Sequence, residues 1–405
     1  MNKFTKTMIV SLLLIITMPM AKLSAQVSTW DGTWEPWTHG TGTETDPFLI
    51  ENAQQLAYLT YRVNNGLDAG GGHVSNHDYH YKLMVDVNLN GSENFQWTPI
   101  GYWNSDSDYQ CFGGYFDGNN HTISGMYINS SANRIGLFGF TDGTTLENLI
   151  VNCSTISTSN QNSNDLYRYA GGLIGFAAGS TYLDNCIVNN AGNINSSTST
   201  SSGWEDVFSY SGGFIGYTTS GTINITNCNH YGNVVANSSK PSAPSGCYSH
   251  SYSGGIVAYS THPIFFTNCF NNGSITSNDS QISYSGGIIS CGTSSINIIN
   301  CYNSGNITST RSSGGLVGTA SSIMNVLDSY NSGSINGGNY VSGGILGTKS
   351  TSTQHLINNC YNIGNLSTNN SGGLVGSSTN GTSITVNNSY YLNSCGGSNT
   401  FGSPW

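Results

Sequence analysis

The chain of 405 residues holds 52 glycines but only 10 basic and 20 acidic side chains, 7 % of its length against roughly 25 % in an average globular protein. A helical bundle, a coiled coil or a basic nucleic-acid-binding surface needs far more Lys, Arg and Glu, so those classes are excluded. With 37 % hydrophobic residues and 24 tyrosines, the sequence is also too apolar to remain disordered.

In chain order, residues 1–25 read as an export signal. Lys3 and Lys6 precede an apolar stretch over residues 8–20, and Leu23-Ser24-Ala25 places small residues before a cut ahead of Gln26. The mature chain is therefore expected to be secreted or held at the cell surface, with no membrane span after signal removal. Loss of Lys3, Lys6 and Lys22 leaves seven basic against 20 acidic residues, a balance that offers no hold on nucleic acid. Residues 26–134 read as an N-terminal cap together with the first coils of a solenoid. Within them Ala53, Leu56, Leu59 and Val63 fall on one helical stripe, which predicts a short helix over residues 51–64 lying across the first coil. Fifteen of the 20 acids lie between Asp31 and Asp165. His73, His77, Asp78 and His80 read as a solvated polar loop, and Asp106 and Asp108 lack the distal Glu of a calcium loop. No metal and no cofactor is expected.

From residue 135 to 390 a repeat takes over. Ser313-Gly314-Gly315-Leu316-Val317-Gly318 recurs with its first Gly at 171, 212, 254, 286, 314, 343 and 372, after a degenerate copy at Ile135-Gly136-Leu137-Phe138-Gly139. The last three intervals are 28, 29 and 29 residues, whereas earlier intervals of 41 and 42 hold insertions over residues 196–207 and 236–249. A second landmark reads Asn152-Cys153, Asn185-Cys186, Asn227-Cys228, Asn268-Cys269, Asn300-Cys301, Asp328-Ser329, Asn359-Cys360 and Asn388-Ser389, and a third reads Cys301-Tyr302-Asn303-Ser304-Gly305. Three short β-like pieces per ~28 residues suit one coil of a parallel β-helix, with Asn and Gly at the corners that need φ > 0; a propeller blade needs about 40. The expected fold is all-β, a solenoid of about eight coils, followed by a tail over residues 391–405. Equivalent residues then stack in ladders at ~4.8 Å, which disfavours like charges and explains their scarcity.

The ladders suggest roles. Cys153, Cys186, Cys228, Cys269, Cys301 and Cys360 form a column of small buried side chains rather than disulfides, because ladder side chains point the same way and Ser329 and Ser389 interrupt them. Tyr169, Tyr210, Tyr252 and Tyr284 make a second column beside the insertions and Trp204. Those rings either form a stacking surface for sugars or a partner protein, or pack under the loops. No carboxylate pair is expected on the repeat body, no nucleophile motif is visible, and no catalytic residue is assigned.

The Gly-Gly-Leu-Val-Gly unit resembles the GLUG motif, a repeat of bacterial surface and secreted adhesin-like proteins and of some IgA-specific metallopeptidases. Asp46-Pro47-Phe48-Leu49-Ile50, Trp97-Thr98-Pro99-Ile100-Gly101 and Phe116-Asp117-Gly118-Asn119-Asn120 look like the leader of such repeats. The resemblance implies a right-handed helix, in line with the general hand of parallel crossovers, and an adhesin-like protein that binds a glycan or a surface protein. No His-Glu-x-x-His is present, so the peptidase chemistry is not carried over. The competing expectation is a polysaccharide lyase or glycoside hydrolase using acids of residues 78–165. At the C-terminal end, the expectation is that aromatics plug the last coil, or that the chain is truncated or self-associates there.

Overall fold

The computed structural model describes residues 27–67, 79–161, 166–200, 205–240, 247–279, 281–338, 340–349, 353–367, 371–378, 384–396 and 403–404. The expected export signal, Trp204, His73, His77 and Asp78 lie outside the described residues. One bare coil runs through the strands Ser312–Gly314, Val317–Ala320, Met324–Leu327, Tyr330–Asn331 and Ile335–Asn336. The coil thus has five short pieces where the sequence suggested three. Each lies parallel to its counterpart one coil on, as in Gly314↔Gly343, Val317↔Leu346, Met324↔His355 and Tyr330↔Tyr361. Every strand ladder among the described residues is parallel except the hairpin Tyr102–Ser105/Asp108–Gln110. The chain is a parallel β-helix, with no closed barrel.

The corners explain the repeat. A Cβ on Gly314 would meet the Val317 carbonyl oxygen of its own turn at 1.8 Å and the Gly347 nitrogen of the next coil at 2.6 Å, and one on Gly315 the Gly344 oxygen at 1.9 Å, so only glycine permits both the tight turn and the close approach of successive coils there. The second corner places Asn185, Asn227, Asn268, Asn300, Asp328 and Asn359 at φ between 51° and 55°. Their side chains bond along the axis: Asn268 donates to Asn227 at 3.0 Å, Asn300 to Asn268 at 2.7 Å and Asn359 to Asp328 at 2.9 Å.

Register corrects one landmark. Asn148, at φ 53°, occupies this second corner one coil before Asn185, and Ile150 pairs with Ile187, so Leu149 rather than Cys153 stands in the cysteine column. Cys153 instead pairs with Asn190. The Asn-Cys dipeptide at 152–153 misleads because the corner is defined by a left-handed Asn followed by an inward residue, and Asn148-Leu149 meets that requirement. In the column proper, the thiols of Cys228, Cys301 and Cys360 donate to the carbonyl two residues back at 3.1–3.2 Å, and Ser329 and Ser389 do so at 2.6 and 2.7 Å. Cys and Ser interchange here because each supplies a small donor to the same carbonyl. All ten cysteines are free and buried.

The insertions begin as strands, not loops. Ile187–Ser199 and Asn229–Ser239 continue the sheet beyond the coil, facing Val207–Gly212 and Ser249–Gly254. Between these layers lie hydroxyls: Ser196 to Ser211 at 2.8 Å, Thr198 to Ser209 at 2.6 Å, and Ser211 to the Val235 carbonyl at 2.6 Å. The result is a lateral wing with a polar interior.

At the N-terminal end the helix Ala53–Asn64 starts with Asn52 accepting from the Gln55 N–H at 2.9 Å, and its stripe of Ala53, Leu56, Leu59 and Val63 is buried in the main core. Farther along, Phe270, Tyr302, Tyr330 and Tyr361 stack on the outer surface with centroids 4.8–4.9 Å apart and planes within 9°. Tyr330→Ala removes two of these contacts and is expected to lower stability by about 1–3 kcal/mol in urea denaturation; a loss below ~0.5 kcal/mol would show that the stack is only incidental.

Candidate functional site

The four-tyrosine column is present but enclosed. Tyr169, Tyr210 and Tyr252 stack at 5.1–5.2 Å and are buried, while Tyr284 is half-buried above Tyr252 at 5.8 Å. They fill the angle between the wing and the coil body, edge-on to Tyr217 and Tyr259. Burial pushes the Tyr210 and Tyr252 hydroxyls well above their usual range. These rings are turned to one another and to Phe176, Tyr217 and Tyr259 of the coil body, which decides between the two expectations in favour of packing: the body's aromatics enclose Tyr169, Tyr210 and Tyr252.

A different surface carries exposed chemistry. Strand register sets Lys82, Asp117, Glu147 and Asp184 on four successive rungs of one outward ladder. Two residues before each, on the same face, stand His80, Tyr115, Thr145 and Tyr182. The expectation that like charges avoid a ladder therefore fails here, and Glu147 and Asp184 place a carboxylate pair on the repeat body. Three features make the stack tolerable. Lys82 Nζ donates to Asp117 Oδ2 at 2.8 Å, Asn148 and the Asn119 N–H donate to Asp117 Oδ1 at 3.0 and 2.7 Å, and Asn227 donates to Asp184 Oδ1 at 2.9 Å.

These neighbours pull the carboxyls apart electrostatically. Burial raises Asp117, but Lys82, Asn148 and the Asn119 N–H outweigh it and hold the group below its usual range. Glu147 moves up, first by burial and then by the charges of Asp117 and Asp184, with Lys82 and His80 opposing. One carboxyl is kept ionised and its neighbour is readier to hold a proton. Beside them His80 stacks on Tyr115 at 4.2 Å, with planes 1° apart. His80, Lys82, Tyr115, Asp117, Thr145 and Glu147 line a cleft of about 360 Å³.

The other acids named from the sequence stand apart from this arrangement. Asp108 is engaged within its own hairpin by Tyr102 at 2.9 Å and Asn104 at 3.0 Å. Among the described residues no group of three His, Cys, Asp or Glu side chains is placed to hold a metal ion.

No family model matches the chain, and no curated protein matches it either. Among solved structures it is similar to a candidate immunoglobulin A1 protease from Bacteroides ovatus, at 17 % identity and a TM-score of 0.40 over 88 % of this chain and 78 % of that one. It is also similar to a structure named IgA1 Protease, at 16 % identity and a TM-score of 0.41 over 85 % of this chain and 22 % of the other, so it spans about a fifth of that protein. Neither likeness transfers an activity.

Of the cleft residues, sequence reasoning singled out Asp117, read His80 as part of a solvated polar loop although it stands on a strand against Tyr115, and passed over Lys82, Tyr115, Thr145 and Glu147, as it did Tyr182 and Asp184 on the next rung. A signal existed: Tyr115-Phe116-Asp117, Thr145-Leu146-Glu147 and Tyr182-Leu183-Asp184 share the order outward residue, core residue, acid. Aligning the coils on Asn152-Cys153 rather than Asn148-Leu149 hid it.

Proposed function

We propose that the chain is an exported glycan-binding β-helix whose ligand lies in the cleft along the Lys82–Asp117–Glu147–Asp184 ladder. The observation that carries this reading is the pairing of aromatic rings with carboxylates on adjacent columns of one cleft. Sugar rings present apolar faces to aromatics and hydroxyl donors to carboxylates, and a hydrogen bond to a charged acceptor contributes about 1.5–3 kcal/mol. A second reading, glycoside cleavage, is favoured by the opposed proton affinities of Asp117 and Glu147, which stand one rung or ~4.8 Å apart along the axis. An acid and a base on neighbouring carboxyls are what such a reaction requires.

A glycan array with the mature protein, followed by product analysis on every glycan that binds, separates the two. For a binding protein, Asp117→Asn and Glu147→Gln each weaken binding about tenfold and no product forms with any variant. Cleavage by the unaltered protein that both variants abolish would replace the binding reading with the enzymatic one, and a protein that binds no glycan would end both.

A further inference from the structure

One outer aromatic column of this β-helix is filled rung by rung. On the outer surface Phe270, Tyr302, Tyr330 and Tyr361 follow one another at 4.8–4.9 Å, and at the cleft His80 and Tyr115 stand 4.2 Å apart. The cleft column then changes pattern. Tyr115 pairs with Thr145 and Thr145 with Tyr182, so two tyrosines flank a rung that carries only a small side chain. Both are exposed for large aromatics, Tyr115 at 43 % and Tyr182 at 48 %. Two rungs separate them by about 10 Å along the axis, which leaves one ring position open over Thr145.

We infer that Tyr115, Thr145 and Tyr182 form a subsite for a single pyranose ring of a neutral glycan; this rests on the glycan-binding reading of the cleft. A ring seated over Thr145 lies about one rung, ~4.8 Å, from each tyrosine, the separation at which rings stack favourably. Its edge faces Glu147, two residues along the same strand and about 7 Å away, within reach of an exocyclic hydroxyl. Asp117 and Asp184 lie on the rungs to either side of Glu147 and accept from hydroxyls of the same or adjoining sugars. The sign of the ladder sets the class of sugar. Asp117, Glu147 and Asp184 on the ladder and Glu44 on the cleft wall, against the single ammonium of Lys82 already engaged by Asp117, repel a uronic acid or a sulfated ring and leave a neutral hexose as the fitting occupant.

The test fills the open position from the protein's own side. Thr145→Tyr completes the aromatic column at a solvent-facing site, and Thr145→Ser keeps it open. Both variants and the unaltered mature protein are titrated with neutral gluco-, galacto- and manno-oligosaccharides and with oligogalacturonates, and melting temperatures are recorded alongside. The expected result is binding of a neutral oligosaccharide that T145Y weakens at least tenfold without lowering the melting temperature, that T145S leaves within twofold, and that oligogalacturonates do not match. Binding indifferent to T145Y, or oligogalacturonate bound as tightly as neutral sugar, overturns the subsite while leaving glycan binding elsewhere on the protein intact. Absence of any glycan binding by the unaltered protein removes the reading on which the subsite rests.

Discussion

Asn331→Asp is expected to destabilise the protein by about 3–5 kcal/mol, although it changes one terminal group. Asn331 belongs to a column inside the coil that runs from Asn271 through Asn303 to Asn362, all fully buried. Its Oδ1 accepts from Asn303 Nδ2 at 2.7 Å, and its Nδ2 donates to Asn362 Oδ1 at 2.8 Å and to the Gly333 carbonyl at 2.8 Å. Each amide closes its own turn and those of Asn271, Asn303 and Asn331 also donate to the next coil, so every side-chain amide of the column is paired. An Asp has no donor to put in place of Nδ2. Its second oxygen would face the Asn362 and Gly333 oxygens in a medium that solvates neither charge nor repulsion. Urea denaturation measures the loss. The matching control is Asp328→Asn, the reverse exchange on the outer corner, where the side chain faces solvent and accepts from Asn359 at 2.9 Å; a change within ~0.5 kcal/mol is expected there. Equal effects at the two positions would refute the distinction between buried and exposed amide ladders.

Acid is expected to unfold the protein through two buried histidines. His230 heads the asparagine column, with Nδ1 at 2.8 Å from Asn271 Oδ1 and Nε2 at 2.9 Å from Asn190 Oδ1. Burial lowers its pKa from 6.5 to about 4, with Asn271 opposing. His355 occupies an inward column between Met324 and Ile384, where neither ring nitrogen has a hydrogen-bond partner among the described residues, and burial followed by the Lys349 charge also lowers it to about 4. In the unfolded chain both rings bind a proton near pH 6.5, so between pH 6.5 and 4 the unfolded state holds more protons than the folded one. Stability is then full above pH 6.5, declines as pH falls toward 4 and stops declining from this source below it. Each ring contributes on the order of 3 kcal/mol to that decline. His355→Met, which extends the Met324 column, is expected to raise stability at pH 7 by about 1–3 kcal/mol because two unsatisfied nitrogens are removed. It should also remove roughly half of the fall in melting temperature between pH 6.5 and 4. His230→Asn, which extends the amide column, should remove much of the remainder. A double variant with the pH profile of the unaltered protein would exclude both histidines as the cause.

The repeat alone makes the solenoid legible. Glycine pairs at a spacing of 28 or 29 residues leave no room for another reading, since one coil per repeat is the arrangement that lets backbones meet at Gly314 and Gly315. The capping helix is legible for a similar reason: Ala53, Leu56, Leu59 and Val63 are local in sequence, and their spacing is itself the helical face. The cleft is legible only in part. Asp117 is visible as an acid of the leader, but its partners lie 30 to 67 residues away and join it through the register of parallel strands. A register is a relation between coils, and coils of unequal length conceal it. For the same reason the sequence places Cys153 in a column that Leu149 occupies.

The sequence by itself determined the architecture and the scarcity of charge, because a coil stacked on copies of itself must repeat glycine at its close approaches and favours neutral side chains on its rungs. Only the tertiary structure decided which ladders face inward, that the tyrosine column packs on aromatics of the coil body rather than standing open beside the insertions, and that three acids lie on adjacent rungs beside an incomplete aromatic stack. Facing and adjacency depend on where each insertion ends and the next corner begins, and that count closes only when the coils are laid on one another.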